Sequence, residues 1–411
     1  MKAKFLGGGD EVGRTGLLIR LGEKDLLFEY GFAASRPPKY PMEAPKPDYT
    51  FITHSHLDHS GMVPWLCSNY GVNIFATSPT IAITDLLTID SYKIAKNEGY
   101  IIPFDIEDIK IARSCYTNIK YNQELEFKGF KVKVHPAGHI PGAAMFEVSY
   151  DSKKILFTGD INTIDTNLVK GAKEVECDTL IMEATYGGRE HPERKNIEKG
   201  FIEKIESVIE RGGRAIIPAF AVGRTQEILL VLLNEKFNVW LDGMGKIVNS
   251  IYLDLPEYIR DVRKLSLAEK RTKMINSRSE RERAMKKADV IVTTGGMIEG
   301  GPIMSYLMNF RKDKKNCILL TGYQIPGSNG RLLLDEGFVE YMGAKVRVDC
   351  EVCFFDFSAH AGHSQLLKFI KGCKPKNVVL FHSETRDAIV QELGNEYNFH
   401  LPKNGVEFEV S

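Results

Sequence analysis

The chemistry of this chain is densest in Thr53-His54-Ser55-His56-Leu57-Asp58-His59, where three imidazoles and a carboxylate follow the apolar run Tyr49-Thr50-Phe51-Ile52. If that run is a buried strand, side-chain alternation puts His54 and His56 on one side of the chain. Two neutral imidazoles converging at a strand end suit an ion of the zinc type. Asp58 and His59 come where the chain turns toward a helix expected over residues 60–66, so they address a neighbouring position. That is the pattern of a two-metal site. With 10 histidines in 411 residues, three in six positions is not the composition of an ordinary surface loop.

Five more groups stand at the ends of apolar runs. His139 lies in Ala137-Gly138-His139-Ile140-Pro141-Gly142, after a strand expected over 130–135. Asp160 closes Lys154-Ile155-Leu156-Phe157-Thr158-Gly159-Asp160, and Glu183 closes Leu180-Ile181-Met182-Glu183. His360 follows the run 352–357 and Ser358, and His382 follows Asn377-Val378-Val379-Leu380-Phe381. Strand ends of α/β sheets are where side chains distant in sequence converge, so the recurrence outweighs any single position. His135, His191, His363 and His400 carry no motif and are expected to be structural.

The elements that must hold these groups fall into two styles. Residues 2–30 read as a meander of strands at 2–6, 16–21 and 25–30, with Gly7-Gly8-Gly9-Asp10 as a hairpin turn rather than a phosphate cradle and Glu29 closing the third strand. Five prolines between 37 and 47 impose an extended loop. Residues 81–97 have helical spacing. From about 187, strand, glycine-rich turn and helix recur three times, around 214–234, 290–302 and 317–331. Their apolar, non-alternating strands predict a parallel sheet covered on both faces. Arg224 and Arg331 stand near helix starts in these units, where free N–H groups attract anions. Residues 260–287, rich in Arg, Lys and Glu, predict solvated helices. The tail returns to the early style, with a helix over 364–370, another from about 386 and a last strand ending at 408–410.

Length and composition, 43% hydrophobic and 26% charged, are those of an ordinary globular protein of two domains or of one with an insertion. No run approaches a membrane span and no signal peptide is apparent at the start, so a cytoplasmic protein without a membrane partner is expected. Lys plus Arg and Asp plus Glu each number 54, so any polyanion must be met by local segregation of charge. Seven cysteines, odd in number and scattered, argue for reduced thiols rather than a disulfide framework. The Cys350-Cys353 pair reads as buried structural thiols in a strand.

The H-x-H-x-D-H signature resembles the metallo-β-lactamase superfamily, and the later motifs narrow the resemblance to its β-CASP branch. Glu183 in E-A-T-Y-G, His360 in F-S-A-H-A and His382 in L-F-H-S-E look like the three motifs this branch adds, and P-A-F-A-V-G-R-T-Q-E also resembles a family segment. The resemblance implies a metallo-β-lactamase αββα sandwich, residues 1–186 and 353–411, interrupted by an inserted α/β (β-CASP) domain, residues 187–352.

It further implies two zinc ions, one held by His54, His56 and His139 and the other by Asp58, His59 and His382, with Asp160 bridging. Zinc binds imidazole and carboxylate at about 2.0–2.2 Å. His360 would act as acid or phosphate ligand oriented by Glu183, Asp58 would join them as a catalytic group, and Glu29 would support the ligands from behind. Arg224, Arg331 and Ser358 would contact substrate. The implied function is hydrolysis of single-stranded RNA to 3′-hydroxyl and 5′-phosphate ends, more similar to the internally cutting processing factors than to 5′-3′ exonucleases of RNase J type. The alternatives are such an exonuclease, a non-catalytic RNA-processing scaffold and another two-metal hydrolase. Glu29 in place of Asp, Gly362 in place of an acidic residue and Ser383 in place of Gly depart from the family pattern. The insertion leaves after Glu183 and returns before His360, so it is expected to act as a lid over the site. The oligomeric state is left open, a homodimer included.

Overall fold

A computed structural model of the chain describes residues 1–410. It divides into two compact units: residues 1–165, 169–190 and 360–410 form the first, and 166–168 with 191–359 the second.

The first unit is built on two seven-stranded sheets. One runs, in spatial order, Glu407–Glu409, Lys2–Gly7, Gly16–Leu21, Lys24–Phe28, Tyr49–Phe51, Ile74–Thr77 and Tyr116–Ile119. The other runs Asn398–His400, Asn377–Phe381, Thr179–Glu183, Lys153–Phe157, Ala144–Tyr150, Phe130–Pro136 and Glu124–Phe127. Alternation along Leu26-Leu27-Phe28 shows how they pack. Leu26 and Phe28 face the other sheet, in a core with Phe51, Phe146, Phe157 and Phe381. Leu27 faces the opposite way, into a second core with Val63, Leu66, Ile109 and Ala112 of helices Val63–Tyr70 and Ile106–Cys115. Ring centroids of Phe28 and Phe157 lie 5.0 Å apart and those of Phe51 and Phe146 5.3 Å apart. Each such buried ring contributes about 1.5–3 kcal/mol, so the two sheets are fixed face to face. Helices His363–Cys373 and Asp387–Leu393 come from the closing segment. This is the expected αββα sandwich.

The second unit is a six-stranded parallel sheet in the order Lys273–Ile275, Val239–Asp242, Val290–Thr294, Ala215–Ala219, Cys317–Leu320, Glu351–Phe354, with a separate hairpin Phe338–Tyr341 and Ala344–Arg347. Every residue of strands 215–219, 239–242 and 317–320 is buried, as expected of a sheet covered on both faces.

Several boundaries differ from expectation for physical reasons. The third strand stops at Phe28 because Glu29 has φ 61°, outside the strand region. The helix expected over 60–66 is two pieces, Leu57–Ser60 and Val63–Tyr70, with Gly61 and Pro64 at the junction. Residues 260–287 hold two helices and also the edge strand Lys273–Ile275. All seven cysteines are thiols. Among the described residues no helix is long and apolar enough to cross a membrane.

Candidate metal centre

The H-x-H-x-D-H segment is held by main chain from two other loops. Thr15 N–H donates to Asp58 O (2.7 Å), Tyr30 N–H to His59 O (2.8 Å) and Phe32 N–H to Leu57 O (2.9 Å). Gly31 lies so close that a Cβ there would fall 2.0 Å from the Asp58 carbonyl carbon, so only glycine fits. Two residues at strand ends, Glu29 (φ 61°) and His382 (φ 55°), adopt the left-handed backbone that costs a non-glycine residue about 1 kcal/mol or more. Both side chains are thereby turned off their strands toward the same centre.

What converges there is dense. His54 Nε2 lies 3.1 Å from His56 Nδ1, which lies 3.2 Å from His139 Nε2. Asp160 Oδ2 is 3.5 Å from His54 Nε2, 3.8 Å from His139 Nε2 and 3.4 Å from His59 Nε2. On the other side Asp58 Oδ2 is 3.4 Å from His382 Nε2 and 3.7 Å from His59 Nε2, and Asp160 Oδ1 is 3.6 Å from His382 Nδ1. The donor atoms of His54, His56, His139 and Asp160 lie within 4.8 Å of one another, and so do those of Asp58, His59 and His382. Asp160 faces both groups.

Electrostatics and unmet hydrogen bonding both call for cations. His54, His59, His139, Asp160, Glu29 and His382 are buried. Burial holds His54 well below its ordinary value and His56 at about 4, so these imidazoles are neutral donors. Burial opposes a charge on His59 as well, yet the carboxylates of Asp160, Asp58 and Glu29 outweigh it and would keep a proton there up to about 10. A divalent ion answers the same negative charge. Burial raises Glu29 to about 8, with His59 pulling the other way. Both ring nitrogens of His59, Asp160 Oδ1 and Glu29 Oε2 are buried without a hydrogen-bond partner. Buried polar atoms left so cost about 1–3 kcal/mol each. The residues present therefore fit divalent metal.

Beside the ligand groups stands a pair of another kind. His360 Nδ1 is 2.9 Å from Glu183 Oε1, leaving Nε2 directed toward Asp160 Oδ2 at 3.9 Å. Glu183 is fully buried and cannot swing, because its carboxylate also accepts from Ile161 N–H (2.9 Å) and Thr185 N–H (3.2 Å). Burial lowers the affinity of His360 for a proton, but Glu183 and then Asp160 more than compensate, raising it to about 9.

The three proposed substrate contacts belong to the second unit. Arg224 begins helix Arg224–Val231, Arg331 lies in helix Asn329–Glu336 with its Nε 2.7 Å from Asp335 Oδ2, and Ser358 N–H donates to Asp356 Oδ1 (3.1 Å). Sequence reasoning missed the loop 8–15. Gly13 N–H donates to His382 Nε2 (3.1 Å), and His382 N–H donates to Gly8 O (2.7 Å). Thr185 Oγ1 lies 3.2 Å from His382 Nδ1. The triple glycine was the available signal, and an ordinary hairpin explained it equally well. His363, by contrast, pairs with Glu392 (2.7 Å) and accepts from Gly188 N–H (2.9 Å), and His135 pairs with Glu147 (2.8 Å).

Comparison with known proteins follows the same division. Residues 18–184 match the metallo-beta-lactamase superfamily domain, 225–333 the Beta-Casp domain and 345–398 the Zn-dependent metallo-hydrolase RNA specificity domain. The chain is 36% identical to the probable RNase MJ4 of Methanocaldococcus jannaschii, over 100% of both chains. It belongs to the β-CASP branch of the metallo-β-lactamase superfamily. Other β-CASP relatives include RNase aCSPSF2 of Saccharolobus solfataricus, 36% identical over 99% of this chain and 85% of that one. The transcription termination factor FttA of Methanococcus maripaludis is 33% identical over 95% of this chain and 68% of its own. A solved structure from Enterococcus faecalis shares the fold, at a TM-score of 0.64 and 13% identity over 99% of each chain.

Proposed function

We propose that this β-CASP protein is a two-zinc ribonuclease that hydrolyses single-stranded RNA internally, leaving 3′-hydroxyl and 5′-phosphate ends. The observation that carries the reading is the convergence of seven donors from separate loops into two groups sharing Asp160, with the His360–Glu183 pair beside them. His54, His56 and His139 would hold one ion, Asp58, His59 and His382 the other, and Asp160 both. When bound, such ions neutralise charge on a phosphodiester and activate water. His360, kept protonated by Glu183 and presenting Nε2, donates a proton to the leaving 3′ oxygen or a hydrogen bond to the scissile phosphate. Glu183 holds the imidazole in that orientation. Arg224, Arg331 and Ser358 are assigned to phosphate contacts, and Glu29 to fixing the donor set through Thr53 N–H (3.0 Å). We take residues 1–165, 169–190 and 360–410 as the hydrolase part and 191–359 as the insertion, a return later than the expected 353 because strand Glu351–Phe354 pairs within the second sheet.

The test is cleavage of one RNA labelled at either end, as a single strand, as a duplex and as a circle, with zinc counted in the purified protein. Linearisation of the circle, resistance of the duplex and about two zinc per chain are expected. Asp160→Ala should abolish most activity and lower the metal content while far-UV circular dichroism is kept. Metal-free protein that still cuts RNA would overturn the assignment. A second reading, 5′-3′ exonuclease, is favoured by 31% identity to an RNase J-like protein of Methanocaldococcus jannaschii over 94% of this chain. A circle left intact beside a digested 5′-monophosphate linear RNA would establish it.

A further inference from the structure

The closing segment of the chain buries a cation among main-chain carbonyls. Arg386 is 9% exposed, and its Nη1 lies 2.7 Å from Pro402 O, 2.8 Å from Gly9 O and 3.2 Å from Leu380 O. A buried charge met by carbonyl dipoles costs stability that an apolar side chain of similar volume would not. Its use therefore lies in what it holds. Leu380 precedes His382 at the end of strand Asn377–Phe381, and Gly9 belongs to loop 8–15.

Loop 8–15 touches the donor group of Asp58, His59 and His382 at several points. His382 N–H donates to Gly8 O (2.7 Å), Gly13 N–H to His382 Nε2 (3.1 Å) and Thr15 N–H to Asp58 O (2.7 Å). The loop is tied in turn to the closing segment. Gly9 N–H donates to Asn404 Oδ1 (2.8 Å), and Asn404 Nδ2 donates to Glu11 Oε1 (2.7 Å), which also accepts from Arg14 Nε (2.6 Å). Gly9 is thus gripped from both sides, its N–H by Asn404 and its carbonyl by Arg386. The main chain around His54 and His139 is held by other partners. Thr53 N–H donates to Glu29 Oε1 (3.0 Å), Ala144 N–H to Thr53 O (2.9 Å) and Ala137 N–H to Ala143 O (2.9 Å).

We infer that Arg386 is a positioning residue for one metal ion alone, the one assigned to Asp58, His59 and His382; the inference rests on the two-ion reading above. Arg386 fastens the strand end that carries His382 to Gly9, and the loop so fixed holds the main chain of His382 and Asp58. His382 has φ 55°, a conformation that persists only where its surroundings enforce it. Gly8 O, placed by the same loop, supplies that restraint at the His382 N–H. Groups that orient a ligand without touching the metal are worth roughly 10–100-fold in metal affinity. The rival use of a buried arginine is to brace the whole fold. Losing a brace would loosen both ions together, whereas losing the positioning loosens one.

The experiment dialyses the full zinc-loaded chain against a graded series of a zinc chelator and counts the zinc retained at each step. Arg386→Met removes the donors, and Asn404→Ala frees Gly9 N–H at less risk to folding. Each variant should lose one zinc at a roughly 10–100-fold lower chelator concentration than the wild type, and the other zinc where the wild type loses it. Amide hydrogen exchange over 8–15 should quicken in both variants, with zinc bound and after stripping, while strand Ala144–Tyr150 keeps its protection. Loss of both ions together, an unmoved zinc curve or unchanged exchange over 8–15 would overturn the assignment. A wild type holding fewer than two zinc ions would count against the two-ion reading, and exchange in the stripped protein would still decide whether Arg386 holds the loop.

Discussion

At the scale of single residues, the roles proposed for Glu183 and His360 separate chemistry from metal binding. The donors around Asp160 already serve both groups, and His360 reaches Asp160 only at 3.9 Å while its other nitrogen is committed to Glu183. His360→Ala should therefore keep both metals and RNA affinity while slowing cleavage by roughly 10²–10⁴-fold, the worth of a positioned acid. Elemental analysis beside single-turnover cleavage checks this, and loss of metal would make His360 a ligand instead. Glu183→Gln retains a hydrogen bond to His360 but not the charge that keeps it protonated, so its defect should be milder and the alkaline limb of the rate, where the acid loses its proton, should move to lower pH. The convergence of these candidate donors was legible in the sequence because each follows a short apolar run or lies in a local motif, which need no knowledge of distant contacts. Gly13 and Thr185 were not, because a backbone N–H and a threonine hydroxyl acquire a role only when His382 arrives from far along the chain.

At the scale of elements, close approach decides what can vary. A Cβ on Gly31 would meet the Asp58 main chain at 2.0 Å, backbone against backbone, with no flexible side chain to yield. Gly31→Ala should cost about 1–3 kcal/mol, as overpacking does, and lower metal content by shifting Asp58 and His59. Gly71→Ala, where nothing lies within 4 Å, should pay only for its φ of 59° and leave the metals in place. Thermal melts and zinc counts on the two variants distinguish these outcomes.

Strand Ala144–Tyr150 makes a prediction of its own. Hydrogen bonding to His135, against some burial and with help from Lys154, holds Glu147 at about 2. Its folded value is below its unfolded one, so its contribution is complete above about 4.5 and is lost as pH falls toward 2. Glu147→Gln should lower the melting midpoint most above about pH 4.5, where the contribution is complete, and flatten its fall as pH drops toward 2. The strand Lys273–Ile275 escaped the sequence reading because three residues between basic helices carry too little alternation, and its edge pairing with Val239–Asp242 is a tertiary choice.

At the scale of the whole molecule, equal numbers of acidic and basic residues mean that RNA must be attracted by local charge. Binding should weaken linearly in log–log salt titrations, with a slope of about −0.7 per phosphate neutralised on a single strand. Arg224→Gln should reduce that slope by about one contact, whereas an unchanged slope would remove Arg224 from the phosphate path. The division into a hydrolase unit and an insertion was visible as a change from meandering to repeated strand–turn–helix.

The donors that face Asp160 begin at His54 and end at His382, and strand Glu407–Glu409 pairs with Lys2–Gly7 at the opening of the chain. During synthesis the ribosome therefore releases the H-x-H-x-D-H segment long before its last partner exists. On the reading proposed above, a nascent chain would be unable to cut the message that encodes it until translation has passed His382 and the closing segment has come free of the exit tunnel. Competence would then arrive late and all at once, a timing imposed by topology alone.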